Sequence, residues 1–213
     1  MIPFSDDNPT RVFPIVTVIL IALNILVFFS GLGSAGPQEF LDNYGLIPAK
    51  LTSSPIAAYP TLFTSMFLHA GLMHLGGNML YLWIFGDNIE DVLGRSRFII
   101  FYLLCGVLAA AGHIVTDLHS PIPMVGASGA ISGILGAYVV LFPKARVKTL
   151  IFLGFFMTLA RIPAWVLLGI WILMQVGNSM AMSVEGGGVA WFAHIGGFAV
   201  GALLILPFKK MTA

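Results

Sequence analysis

Charge is what this sequence has least of. Asp, Glu, Lys and Arg together make up 9% of the 213 residues, whereas hydrophobic residues make up 58%. A soluble domain usually carries about 25% charged residues, so the deficit excludes an ordinary soluble domain and indicates a protein that crosses a membrane several times. The basic residues form no stripe with interleaved aromatics, so we expect no nucleic-acid partner.

Cysteine is almost absent as well. Cys105 is the one cysteine, and it lies in an apolar run. It cannot form an internal disulfide, and no CxxC or Cys/His pair indicates zinc. We therefore expect no metal and no organic cofactor.

Long apolar runs are abundant, and they predict the fold. A membrane helix needs about 20 mostly apolar residues, and no linker or repeat divides the chain. The sequence predicts an all-α fold, a single membrane domain over residues 1–213 built as a bundle of six transmembrane helices. The connection at 31–60 is the longest, and we expect it to fold against the outer membrane surface. The predicted spans are 13–31, 61–86, 97–117, 127–142, 162–181 and 189–208.

One apolar stretch, from Leu150 to Ala160, is too short for a span. Lys148 precedes it, and Arg161 and Pro163 follow it. We interpret it as an interfacial or re-entrant segment that leads into the fifth span. The alternative, a separate span, would make seven.

Positive charges set the orientation, because cytoplasmic loops are enriched in Lys and Arg. With six spans and both termini cytoplasmic, nine of the ten basic residues are inside and only Lys50 is outside. The inverse orientation reverses that ratio, and a seventh span weakens it. The nine inside are Arg11, Arg95, Arg97, Lys144, Arg146, Lys148, Arg161, Lys209 and Lys210.

Four polar residues fall within or at the start of the apolar spans, where polar side chains are costly unless they function. Ser128 opens the fourth span and His194 lies near the start of the sixth. His74 and Asn78 are four residues apart in the second span, so they share a helix face. Six spans bring all four to the same side of the membrane, whereas seven would move His194 to the other side.

Small residues follow both Ser128 and His194 at helical spacing. They are Gly129, Ser132, Gly133 and Gly136 in the fourth span, and Gly197 and Gly201 in the sixth. Helices with such faces can pack closely in membranes. Close packing would bring the Ser128 hydroxyl within reach of the His194 ring, which is the contact that activates a nucleophilic serine.

Three segments together resemble the rhomboid intramembrane serine proteases. They are Gly126-Ala127-Ser128-Gly129, His74-Leu75-Gly76-Gly77-Asn78, and Ala193-His194-Ile195-Gly196-Gly197 followed by Gly201. The segment Gly86-Asp87-Asn88-Ile89-Glu90-Asp91-Val92-Leu93-Gly94 is also similar to that family. The similarity extends over all six predicted spans, and its strength is the combination of motif order and topology.

The resemblance implies a role for each polar residue. Ser128 would be the nucleophile and His194 the general base, and His74, Asn78 and the Ser128 backbone N–H would form the oxyanion hole. No carboxylate is an obvious third member, so a Ser–His dyad is implied. Members of the family often carry an aromatic four residues after the nucleophile, where this chain has Ser132. Another side chain must therefore orient His194. The Trp-Arg pair that some members carry in the first outer loop is also missing.

The same resemblance implies what the protein acts on. Its partners would be the lipid bilayer and single-pass or other transmembrane proteins, cut at a helix-weak segment with small residues. The active site would face the outer side of the plasma (inner) membrane. By family analogy, the fifth span, followed by the Gly-rich segment from Glu185 to Gly188, is a candidate lateral gate. Oligomeric state is not predicted.

Several alternatives stay open. The chain could be a catalytically inactive relative that binds membrane clients, or a small transporter that uses polar residues at the midplane. His69, His74 and His113 could form a metal site, although they lack a ligand-spacing motif. Near the end of the second span, Glu90 and Asp91 are expected to pair with Arg95 and Arg97.

Overall fold

Helices make up most of the fold in the computed structural model, which describes residues 1–33, 36–154, 156–181 and 189–210. In chain order the elements are β1 (Ile2–Asp6), α1 (Ile15–Leu32), α2 (Pro37–Tyr44), α3 (Pro48–Ser53), α4 (Pro55–Ala58), α5 (Thr61–Thr64), a 3-10 turn (Ser65–Phe67), α6 (Leu72–Leu93), α7 (Arg95–Ile114), α8 (Ser128–Leu141), β2 (Arg146–Leu153), β3 (Phe156–Pro163), α9 (Ala164–Ala181) and α10 (Trp191–Lys210).

The described residues contain four helices long and apolar enough to cross a membrane: α1, α7, α9 and α10. A fifth is obtained if α6 and the bent segment before it, Pro55–Phe67, are one span. α8 is also apolar but has only 14 residues. The chain is therefore a mostly helical, polytopic membrane protein, as the composition predicted.

The second predicted span, 61–86, is wrong at both ends. Its first part is a separate short helical segment bent by 77° from α6. The break follows from the extended backbone of Leu68 (ψ 147°) and lies just before Gly71 and the start of α6. At its other end, α6 continues to Leu93.

Polar residues at the end of α6 hold the beginning of α1. The Glu90 carboxylate, 1% exposed, accepts hydrogen bonds from the backbone N–H groups of Val16 and Thr17 at 2.9 and 2.8 Å and from the Thr17 hydroxyl. Asp91 accepts from the N–H groups of Arg11 and Val12. The first N–H groups of a helix lack partners within the helix, so Glu90 caps α1, whereas Asp91 holds the segment just before it. The predicted pairing of Glu90 and Asp91 with Arg95 and Arg97 is not the arrangement found.

The all-α prediction missed a three-stranded antiparallel sheet, two strands of which lie between α8 and α9 in the chain. β2 and β3 form a hairpin, and β1 from the N-terminus adds to β2, giving the order β1-β2-β3. The stretch from Leu150 to Ala160 is therefore a β-hairpin, which corrects the re-entrant interpretation and excludes a seventh helix there. Its many β-branched and aromatic residues favour strands.

Side chains of the helical body attach to this sheet. The Tyr138 hydroxyl of α8 donates a hydrogen bond to Asp6 of β1. Asn8 donates to Asn88 of α6. Val147 of β2 is fully buried in the same core as the helices. Removal from water raises the pKa of Asp6 above its usual 3.8, and the Tyr138 hydrogen bond opposes part of that rise.

The connection predicted at 31–60 folds into short helices. α2, α3 and α4 each begin at a proline, which suits the first helical position because its missing N–H would have no partner there. Leu46, between α2 and α3, is fully buried and exchanges two backbone hydrogen bonds with Met124, at 3.1 and 2.8 Å. The connection therefore packs on the loop that leads into α8.

Candidate active site

Ser128 is the first residue of α8, and an unusual glycine positions it. Gly126 has φ +123°, a conformation that side-chain-bearing residues rarely adopt. A Cβ atom built on Gly126 would lie 2.7 Å from Nε2 of His74 and 3.6 Å from the Ser128 hydroxyl. Only glycine therefore lets the chain turn into α8 with the imidazole of α6 against it. This turn brings His74 and Ser128 together.

The backbones of α8 and α10 touch, as the small-residue pattern predicted. A Cβ on Gly197 would lie 2.2 Å from the carbonyl oxygen of Gly129, and one on Gly201 would lie 1.9 Å from that of Gly133. Any side chain at either position would push the helices apart. The glycines of α10 thus set how closely His194 can approach α8.

This approach places Ser128 and His194 in direct contact. Nε2 of His194 lies 2.8 Å from Oγ of Ser128, within hydrogen-bond range. His194 is 9% exposed. The Trp171 and Trp191 rings flank it, with centroids 6.0 and 6.1 Å from the imidazole. An imidazole nitrogen at this distance can accept the hydroxyl proton as the oxygen attacks an electrophile.

The residue that sequence reasoning missed is Gln175 of α9. Its Oε1 lies 2.8 Å from Nδ1 of His194, and the side chain is 6% exposed. The sequence shows that position 132 cannot supply an aromatic to orient the histidine, and Ser132 instead donates its hydroxyl to the Ser128 carbonyl at 2.6 Å. The available signal was an amide in a mostly apolar span, but Asn178 of the same span carries that signal too, so it could not single out Gln175.

His74 and Asn78 lie one turn apart on α6, as their spacing requires. The Ala70 N–H donates to Nδ1 of His74 at 3.4 Å. A neutral imidazole that accepts at Nδ1 carries its proton on Nε2, the atom next to Gly126. Nδ2 of Asn78 is buried and has no hydrogen-bond acceptor among the described residues. Such a donor is costly to bury unless it serves a ligand or a reaction intermediate.

A small cavity of about 40 Å³ opens beside Ser128. Its walls are mostly small and apolar, and they include Gly106, Ala110, Met124, Gly129 and Ala193. If the Ser128 hydroxyl attacked a carbon atom at this place, a side chain next to that carbon would fit the cavity only if it were small.

The remaining histidines lie apart from this contact. The His69 ring packs edge-on against His74, with centroids 5.0 Å apart, and His113 lies beside Phe192. Within the described ranges, no group of three or more His, Cys, Asp or Glu side chains is arranged so that it could hold a metal ion. Asp117, the last residue of the third predicted span, accepts a hydrogen bond from the His119 backbone N–H. The Gly-rich segment from Glu185 to Gly188, which follows the candidate gate helix, lies outside the described residues.

Comparison with known proteins identifies relatives. Residues 57–210 match the family model described as the Rhomboid domain. The Bacillus subtilis protein "Rhomboid protease GluP" is 37% identical over 136 residues, 63% of this chain and 25% of that protein. The Saccharomyces cerevisiae "Rhomboid protein 1, mitochondrial" is 30% identical over 196 residues, 86% of this chain and 50% of that protein.

A third relative, the "Putative rhomboid protease YdcA" of Bacillus subtilis, is 32% identical over 132 residues, 61% of this chain and 63% of that protein. The chain thus spans between a quarter and two thirds of the length of these relatives. Two of these relatives are bacterial and the yeast relative is named as mitochondrial. The relatives therefore do not indicate in which membrane this chain resides.

Proposed function

Because this chain belongs to the rhomboid family, we propose that it is an intramembrane serine endopeptidase that cuts other membrane proteins. The observation that carries the proposal is the 2.8 Å hydrogen-bond contact between the Ser128 hydroxyl and Nε2 of His194. This is the contact that nucleophilic catalysis by serine requires. It joins two spans in a setting where uncompensated polar groups are expensive.

The reaction would proceed through an acyl-enzyme. Oγ of Ser128 attacks the scissile carbonyl carbon while Nε2 of His194 takes the hydroxyl proton. His194 then gives that proton to the nitrogen of the leaving amine as the C–N bond breaks. Nε2 of His194 then takes a proton from water, which attacks the ester carbonyl. As the bond to Oγ breaks, His194 returns that proton to Oγ of Ser128 and the second product leaves with a new carboxyl end.

The oxyanion would be stabilised by donors from two helices. We assign this role to Nε2–H of His74, Nδ2–H of Asn78 and the backbone N–H of Ser128. The unpaired Nδ2 of Asn78 and the position of His74 beside Gly126 support the assignment. Removal of one such donor typically costs about 10² to 10³ in kcat.

The bundle would have six spans, α1, α6, α7, α8, α9 and α10, with both termini and the sheet on the cytoplasmic side, as the distribution of Lys and Arg favours. α8, with 14 residues, is about 21 Å long at 1.5 Å per residue. That is shorter than the roughly 30 Å hydrocarbon core. Ser128 would therefore lie several ångströms below the outer surface, in a cavity open to water on that side of the plasma (inner) membrane.

The substrate would be a transmembrane protein with small residues near the cut. A membrane helix hides its peptide bonds in internal hydrogen bonds, so the cleaved segment must unwind readily. The small apolar cavity beside Ser128 favours a small side chain next to the scissile bond.

Labelling with a fluorophosphonate and cleavage of a model single-pass substrate, both in detergent, test the proposal. Wild type should label and cleave, and Ser128→Ala and His194→Ala should do neither. Ser30→Ala, which changes an exposed serine near the end of α1, is the matched control and should behave as wild type.

Equal labelling and cleavage by wild type and Ser128→Ala would refute the protease. If neither protein cleaves while substrate still co-purifies, the client-binding alternative is favoured. Solute flux into proteoliposomes that survives Ser128→Ala would favour a transporter.

A further inference from the structure

Gln175 makes two hydrogen-bonding contacts that together fix its orientation. Its Nε2 lies 3.2 Å from the carbonyl oxygen of Trp171, one turn earlier on α9. Its Oε1 lies 2.8 Å from Nδ1 of His194. The Trp171 carbonyl can only accept, so the amide NH₂ must face it. The opposite orientation would set two oxygens against each other.

The orientation of the amide determines where the His194 proton resides. An amide oxygen can only accept, so Nδ1 must carry a proton and donate it to Oε1. In a neutral imidazole the other nitrogen is then unprotonated. That nitrogen, Nε2, is the one that faces the Ser128 hydroxyl. The carbonyl of Trp171 thus dictates, through Gln175, the tautomer in which His194 can accept the serine proton.

We propose that Gln175 is a positioning residue that holds His194 in its base-competent tautomer and makes this tautomer depend on the position of α9. The inference rests on the protease function proposed above. Ser128 and His194 belong to α8 and α10, whereas Gln175 belongs to a third helix. α9 is the least enclosed of the four described helices that qualify as spans by themselves, with 22% of its residues buried. Outward movement of α9 therefore removes the acceptor from Nδ1 and releases the ring.

Three variants test this role. Gln175→Met keeps the side-chain length but removes the amide. Gln175→Glu keeps both contacts when its buried carboxyl is neutral, because the O–H can donate to the Trp171 carbonyl while the other oxygen accepts from Nδ1 of His194. Asn178→Leu removes an exposed amide from the same helix and is the matched control. We expect Gln175→Met to lose about ten- to a hundredfold in kcat, with KM nearly unchanged, because the reacting groups are misplaced rather than removed. Gln175→Glu should stay within a fewfold of wild type, and Asn178→Leu should match it.

Nitrogen-15 NMR of labelled histidine reads the tautomer directly, whether or not the protein is active. His194 in wild type should show a protonated Nδ1 and an unprotonated Nε2. In Gln175→Met the Nε2–H form should become populated. An unchanged tautomer in Gln175→Met, or equal loss of kcat in the Met and Glu variants, would overturn the inference even if wild type cleaves normally. Absence of cleavage in wild type would instead refute the protease function.

A separate apolar surface is exposed among the described residues, formed by the distal half of the β-hairpin together with Ile2 of the adjoining β1. The side chains of Ile2, Phe152, Phe156, Met157 and Leu159 are between 47% and 78% exposed. By contrast, Val147 and Thr149, nearer the helices, are fully buried. Contiguous apolar surface of this kind marks a site of interaction with a membrane or a protein.

The half of the hairpin nearer the helices is basic. Arg146, Lys148 and Arg161 lie on one face of the sheet, because strand side chains alternate and Lys148 pairs with Arg161. Among the described residues, no side-chain partner is found for these three cations. The same face continues into Leu159 and Met157 towards the tip, so cations and apolar residues form one surface.

We infer that this hairpin docks into the headgroup region of an anionic bilayer, with its distal apolar side chains at the acyl boundary and its three cations at the lipid phosphates. Charge complementarity favours anionic phosphate as the occupant. The surface is also continuous with the bilayer-facing side of α9. Trp165, 60% exposed, follows the hairpin directly, and tryptophan is enriched at the membrane–water interface.

Spin-label accessibility tests this docking. Cysteines replace Met157 and Lys148 one at a time, with Gln38→Cys in exposed α2 as an aqueous reference, in proteoliposomes of phosphatidylcholine and phosphatidylglycerol. Native Cys105 is fully buried, which keeps its background labelling low. A label at Met157 should be accessible to oxygen and protected from nickel-EDDA, and one at Lys148 should report headgroup depth. High nickel accessibility at Met157 would refute docking, and protection from both reagents with dipolar broadening would indicate a second copy instead.

Discussion

The glycine contact between α8 and α10 predicts how sensitive the dyad is to one added methyl group. In Gly201→Ala the new Cβ would lie 1.9 Å from the Gly133 carbonyl oxygen, whereas ordinary contact begins at 3.4 Å. The backbones must therefore separate by about 1.5 Å. Added to the 2.8 Å between Ser128 and His194, a shift of that size carries the contact beyond hydrogen-bond range.

The expected losses can be estimated. A misplacement of about 1 Å can cost roughly 10² in rate, so Gly201→Ala should lower the rate of fluorophosphonate labelling about a hundredfold. Overpacking costs about 1–3 kcal/mol, and the better helix propensity of alanine returns about 1 kcal/mol. Unfolding in detergent should therefore show a loss of up to about 2 kcal/mol.

Gly169→Ala is the matched control. It also lies within a long apolar helix, α9, but its Cβ would find nothing within 4 Å. It should keep the wild-type labelling rate and gain up to about 1 kcal/mol of stability. Wild-type labelling and wild-type stability in Gly201→Ala would show that backbone contact between the two helices does not set the dyad distance.

Three further changes have expected outcomes. Asn78→Ala should lower kcat about 10²- to 10³-fold. Its thermal unfolding should show equal or higher stability, because the substitution removes a buried donor that has no acceptor among the described residues. A loss of stability would argue that the role of Asn78 is structural. Glu90→Ala should destabilise by about 2–4 kcal/mol in denaturant unfolding, because it orphans buried N–H groups at the start of α1, and an unchanged midpoint would contradict the cap. The raised pKa of Asp6 means that the folded state favours its protonated form, so its contribution to stability is greatest below pH 3.8 and is lost as pH rises through the higher folded pKa. Asp6→Asn should flatten this decline in a stability–pH series, and an unaltered slope would show that Asp6 does not cause it.

Local sequence was enough for much of the helical part. Apolar runs predicted α1, α7, α8, α9 and α10 to within a few residues. Each of these helices consists of one continuous apolar segment, so its position can be read from the local sequence alone. The second span failed because its break depends on the backbone at Leu68–Gly71, and its extension depends on bonds from Glu90 to a helix distant in sequence. The sheet failed because strand pairing joins Ile2 to Leu150, a contact that no local pattern contains.

The candidate site divides in the same way. The sequence by itself determined that this is a polytopic membrane protein of the rhomboid family, and it identified Ser128, His194, His74 and Asn78 as polar groups too costly to be incidental at membrane depth. It also predicted that small residues would let two helices meet. Only the tertiary structure decided which atoms touch, because the 2.8 Å distances depend on the packing of three helices. For the same reason only the structure revealed Gln175. The sequence of α9 does not show which residue its amide contacts, because that contact forms only when α9 packs against the ring of His194.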